Sequence, residues 1–143
     1  MVHNHYNKYA AYFAWLIAWA SVLGSLFFSE IWHLPPCILC WYQRILMYPL
    51  VVIIGVGILT RDIKKLPYYV LPLSIIGIFV AAYHNLLYYN IVPEAITPCQ
   101  LGVSCTTKFF EWFGFVTIPL LSLLSFVAIA VVMTYLLLKN NLK

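Results

Sequence analysis

Four runs of this chain, at residues 9–28, 41–59, 66–89 and 117–138, are almost wholly apolar. Each is about as long as the roughly 20 residues an α-helix needs to cross the hydrocarbon core of a bilayer. No water is available there, so backbone N–H and C=O groups must pair within the segment, which selects helices. The first, third and fourth runs contain no Asp, Glu, Lys or Arg, and the second contains only Arg44. These runs predict an all-α membrane protein, a single four-transmembrane-helix bundle over residues 1–143 with external loops at 29–40 and 90–116. Composition agrees: 8% of the residues are charged, against about 25% in a soluble domain, so the chain cannot cover itself with a hydrated surface. A cleaved signal peptide is a poorer reading of the first run. Lys8 and Ala18-Trp19-Ala20 imitate its flank and cleavage site, but the apolar run continues to Phe28.

The net charge of +4 sits in short clusters, with no basic stripe of the kind that binds nucleic acid. Its distribution instead reports topology, because Lys and Arg concentrate on the cytoplasmic side. Lys8 precedes the first run, Arg61, Lys64 and Lys65 join the second to the third, and Lys139 and Lys143 follow the fourth. The 29–40 connection has neither Lys nor Arg, and the 90–116 connection has only Lys108, between Glu94 and Glu111. Both termini and the middle turn are therefore expected in the cytoplasm. All four cysteines, Cys37, Cys40, Cys99 and Cys105, then fall on the extracytoplasmic side, where disulfides persist.

Cys37 and Cys40 form a Cys-x-x-Cys at the start of the second run. Pro35 and Pro36 hold the entry extended and are tolerated at a first helical turn. That sets Cys37 near a helix N-terminus, where backbone amides and the helix dipole favour the thiolate that attacks disulfides. A purely structural bond across so short a loop would remove little unfolded-chain entropy. Zinc held by all four cysteines is disfavoured by the wide Cys99–Cys105 spacing. The stretch "TPCQLGVSC" gives the second pair a loop context, Pro98 fixing the chain before Cys99 and Gly102 allowing its return. Short spacings favour pairing Cys37 with Cys40 and Cys99 with Cys105, although an exchanged pairing such as Cys40 with Cys99 stays open.

Arg44 follows Cys40 by four residues, on the same helical face and one turn, about 5.4 Å, deeper. A charge inside a span is costly and marks a functional site unless it snorkels to the headgroups. His84, the one histidine within a span, lies at a similar depth in the third run. Two such groups beside a redox-active dithiol outline a site for an apolar molecule with oxygen acceptors. A membrane quinone, menaquinone or ubiquinone, fits, because an oxidising dithiol must pass on two electrons. Arg44 would stabilise negative charge on a ring oxygen, and His84 would donate a hydrogen bond or relay a proton. Other features read as architecture. Small-residue pairs Ala14/Ala18 and Ala20/Gly24 suit close helix approach, and Pro49 suits a bend. Trp32, Trp41, Tyr88, Tyr89 and Trp112 suit an interfacial belt, and "TTKFFEWFGF" suits a segment along the outer surface.

"CILCWYQR" before an apolar span, "AAYHNLLYY" around His84, a later cysteine pair and "FGFVTIP" before the last span resemble the disulfide-bond formation protein B (DsbB) family. The short second cysteine loop is similar to that of its Gram-positive BdbC-type members. The resemblance implies a plasma-membrane enzyme that reoxidises an extracytoplasmic thioredoxin-fold thiol oxidase and passes the electrons to quinone. It also implies that Cys99 forms the mixed disulfide with that partner and that Cys105 is its resolving companion in the loop pair. Cys37 would exchange with the loop pair, and Cys40 would face quinone beside Arg44 and His84. The five residues between Cys99 and Cys105 depart from the much longer segment of the best-known members. A vitamin K epoxide reductase-like chain would carry its loop cysteines before the Cys-x-x-Cys rather than after it. The non-enzymatic alternative is an assembly subunit whose loops are stapled by inert disulfides.

Overall fold

The computed structural model describes residues 2–33, 35–92 and 117–141, with side chains from residue 6 onward. Helix α1 (Val2–Leu26) widens into a π-helical turn over Phe27–Ile31, and α2 (Ile38–Leu59), α3 (Leu66–Tyr88) and α4 (Ile118–Asn141) follow. Among the described residues there is no strand, and the four helices are each long and apolar enough to cross a membrane. The observed helices outrun several of the apolar runs: the first span is Tyr6–Ile31 and the last reaches Asn141. Hydropathy marks the part of a helix that suits hydrocarbon, whereas the hydrogen-bond ladder continues into the headgroup zone. Helix α2 starts earlier, at Ile38, because Cys37 caps it.

Each helix packs on its two neighbours in a ring, with α4 closing back on α1. Ala11, Ala14 and Ala18 form a fully buried stripe on α1, in one apolar core with Leu50 and Ile54 of α2, and their small size suits close helix approach. The Trp15 indole donates to the Val51 carbonyl at 3.1 Å and ties these helices together. On the far side of the core, the Phe126 ring of α4 occupies the space that a Cβ on Gly77 of α3 would fill. Asn85 donates to its own helix at Ala81 O, 2.8 Å, and across to Pro119 O on α4, 3.0 Å.

Asn7 on α1 donates to Asn140 on α4 at 3.5 Å, and Asn140 in turn donates to the Lys64 carbonyl in the α2–α3 turn at 3.5 Å. Both ends of the described chain and the middle turn therefore share one end of the bundle, opposite Cys37 and Cys40. Two architectural expectations change. Ala20 is exposed and Gly24 has nothing within 4 Å of a Cβ position, so this small pair borders open space instead of a helix contact. Tyr88 is buried, so it leaves the interfacial belt to Trp32, Trp41 and Tyr89, which are exposed. Helix α2 continues through Pro49. Trp112 and the 106–115 segment lie outside the described residues.

Gly77→Ala should destabilise the bundle by about 1–3 kcal/mol, because the new methyl overlaps the Phe126 ring and neither backbone can retreat freely. Thermal unfolding in detergent measures this, and Phe126→Leu added to Gly77→Ala should recover part of the loss.

Candidate active site

The site begins with a helix cap. After Pro35 and Pro36, Cys37 is extended (φ −70°, ψ 168°), and its sulfur accepts the Cys40 backbone N–H at 3.3 Å. An N-cap position is where sulfur gains most from unpaired amides and the helix dipole. The two sulfurs lie 2.7 Å apart, and both cysteines are free thiols here, near enough for the pair to interconvert between dithiol and disulfide. Leu39 and Leu87 shelter Cys37 on its apolar side. The Cys40 side-chain hydrogen bond, supported by His84, holds the Cys37 thiol well below its ordinary pKa, while burial works in the opposite direction.

His84 stands against Cys37. Its Nε2 is 3.7 Å from the Cys37 sulfur, and its Nδ1 is 3.1 Å from Gln43 Nε2, with both polar residues buried. With the amide nitrogen donating to Nδ1, the ring proton resides on Nε2 and faces sulfur, where it stabilises a thiolate. Gln43 was not singled out from sequence. The available signal was a second polar residue inside a span, next to Arg44 and one turn after Cys40.

Arg44 does share the Cys40 face of α2, and it is buried rather than snorkelling. Its Nε donates to Ser25 Oγ at 2.8 Å, a terminal nitrogen donates to the Ser25 carbonyl at 2.8 Å, and the guanidinium lies 5.5 Å from the Trp41 ring centre. Ser25 is a second residue missed from sequence, where it is one polar residue among many small ones on α1. It immediately precedes the π-helical turn, whose wide pitch is marked by Trp32 N–H donating to Phe27 O at 3.3 Å.

A cleft of about 320 Å³ opens between α1, α2 and α4. Cys40, Gln43 and Arg44 face it from α2, Ser21 and Ser25 from α1, and Ser122 from α4; the remaining lining is largely apolar and includes Gly24. Because Ser25 Oγ accepts from Arg44, its own proton is free to be donated into this space. The structure thus brings Cys37, Cys40 and His84 together and sets Arg44 beside Cys40 on the cleft. His84 is on the Cys37 side and is not among the described residues lining the cleft. Cys99 and Cys105 lie outside the described residues.

The family model for the disulfide bond formation protein DsbB matches residues 7–136. Disulfide bond formation protein C of Bacillus subtilis (strain 168) is 48% identical over 126 residues, covering 85% of this chain and 88% of that protein. A probable disulfide formation protein C 1 of Bacillus anthracis is 41% identical over 135 residues, covering 94% and 96%. A probable disulfide formation protein of Metapseudomonas resinovorans is 40% identical over 120 residues, covering 83% of each chain. No solved structure gives a significant match.

Ser25→Ala should leave the Nε proton of a buried guanidinium without its acceptor and cost about 1–3 kcal/mol. A lower unfolding midpoint in detergent, with Ser25→Thr near wild type, is the expected outcome; an unchanged midpoint for Ser25→Ala would remove this anchor.

Proposed function

Since the chain belongs to the DsbB family of disulfide bond formation proteins, we propose that it is a thiol:quinone oxidoreductase that recharges an extracytoplasmic thioredoxin-fold thiol oxidase. A membrane role in disulfide bond formation follows from the family and the four spans. The observation that carries the finer reading is the double position of Cys40, 2.7 Å from the Cys37 sulfur on one side and lining the Arg44 cleft on the other.

The residues present suit a quinone. The cleft is of ligand size, mostly apolar and provided with a few placed polar groups. Two of the Arg44 donors are occupied by Ser25, which leaves others for an oxygen acceptor. When bound, a quinone supplies a sink for two electrons and two protons. Arg44 holds compensating positive charge beside the Cys40 sulfur, and the Ser25 hydroxyl adds a neutral donor. His84 serves the other half of the pair by stabilising Cys37 as a thiolate and carrying its proton.

The sulfur chemistry balances as a series of exchanges. A thiolate of the reduced partner attacks Cys99, breaking Cys99–Cys105 and releasing Cys105 as a thiolate. The partner's second thiol then displaces Cys99, so the partner leaves oxidised and the loop pair is left reduced. A loop thiolate attacks Cys37, the bond to Cys40 breaks, and the electron pair passes to Cys40 at the cleft. Closure of Cys99–Cys105 releases Cys37 as a thiolate, and the reduced Cys37–Cys40 pair is what the quinone must reoxidise. The Lys and Arg distribution, with the described termini and middle turn at the bundle end opposite the thiols, supports a bacterial cell-membrane location with the cysteines outside.

Purified protein supplied with a reduced thioredoxin-fold dithiol should consume quinone. Cys40→Ser should reduce this to background and Arg44→Met should slow it by roughly 10²-fold. Quinone loss that persists in Cys40→Ser would overturn the assignment. In intact cells, an impermeant thiol reagent applied after reduction should label the external cysteines, and protection of both pairs would reverse the topology.

A further inference from the structure

The thiolate site has a second chemical capability, because it converges three soft or borderline metal ligands from two helices. Cys37 Sγ, Cys40 Sγ and His84 Nε2 all lie within 4.8 Å of one another. A tetrahedral zinc ion places sulfur and imidazole nitrogen about 3.6 Å apart and two sulfurs about 3.8 Å apart. The Cys37–His84 separation of 3.7 Å already matches. The sulfurs, at 2.7 Å, must open by about 1 Å to reach that spacing. Cys40 has the room, since it is only partly buried and borders the cleft, which also leaves a position for a water as fourth ligand.

Charge and the surrounding hydrogen bonds favour the same outcome. Two thiolates neutralise a divalent ion, so the complex suits an apolar surrounding in which an uncompensated charge is costly. Metal at Nε2 requires the imidazole proton on Nδ1, and Gln43 is already 3.1 Å from that nitrogen. Turning the Gln43 amide over makes its oxygen the acceptor, giving the outer partner that orients metal-bound histidines. The proposed site uses Cys37, Cys40 and His84 alone, and so differs from the four-thiolate zinc site disfavoured by sequence spacing.

We propose that the reduced protein binds one soft divalent metal ion, Zn²⁺ or Cd²⁺, through Cys37, Cys40 and His84, and that the bound ion blocks thiol–disulfide exchange until it is removed. The disulfide form offers no thiolates and is immune, so metal occupancy selects the reduced enzyme. The proposal does not depend on the identity of the electron acceptor.

The test titrates full-length reduced protein in detergent with Cd²⁺, reading the cadmium–thiolate ultraviolet band, with stoichiometry from equilibrium dialysis. One ion per reduced chain is expected, none per oxidised chain, and loss of the band in Cys40→Ser, a one-atom change. His84→Ala should weaken binding by at least about tenfold, and Gln43→Leu by about 10- to 100-fold. The Cys99→Ser/Cys105→Ser variant should still bind one ion. Dithiol oxidation by the wild type should stop with Cd²⁺ and resume with a chelator. No ion bound to the reduced wild type, unchanged affinity in His84→Ala, or lost binding in the double loop variant would overturn the site. Full turnover with the ion bound would overturn the block.

Discussion

A full positive charge inside a membrane helix has to be met by protein oxygen, and the Arg44–Ser25 contact is where this chain meets it. The interaction uses both the hydroxyl and the carbonyl of one α1 residue, so it fixes the distance and rotation of α1 against α2 at the thiol end of the bundle. Lower down, the alanine stripe and the Trp15 indole hold the same two helices together. Between these anchor points Ala20 and Gly24 contribute almost no bulk, and the cleft forms there. The opening is thus a product of where the helices are pinned and of which side chains are missing, with Arg44 placed at its polar edge.

In the proposed reaction Cys40 is the hinge, because a Cys-x-x-Cys at a helix start treats its two sulfurs unequally. The first cysteine is the cap, held by a backbone amide and by imidazole. The second is inside the first turn and borders the cleft between α1, α2 and α4. One sulfur is set up as a thiolate and the other borders a largely apolar cleft. Histidine and arginine divide accordingly, one to each sulfur, although they sit at similar depth in neighbouring helices.

The sequence made the large-scale arrangement legible because membrane spans are coded by composition over many residues. The four helices, the cap at Cys37 and the shared face of Cys40 and Arg44 all follow from length, proline chemistry and helical period. What sequence could not supply was azimuth between helices. His84 was expected beside Arg44 on grounds of depth alone, yet rotation of α3 turns it to Cys37. Ser25 and Gln43 carry no charge and have no distinctive spacing, so their roles emerge only once two helices are set face to face. The Ala20/Gly24 pair illustrates the same limit: small residues permit either a close helix contact or a void, and neighbours decide which. Cys99 and Cys105 remain expectations from sequence and family.

The meeting of Asn7, Asn140 and the Lys64 carbonyl at one end of the bundle has a practical corollary for anyone extending this chain. Helix α2 separates that end from the thiols by its 22 residues, about 33 Å at the rise of an α-helix. A reporter or affinity handle joined to either terminus would therefore lie at the end of the bundle remote from Cys37 and Cys40. Paired labels near Asn7 and Asn140 would sit close enough to each other to serve as a proximity gauge of bundle integrity.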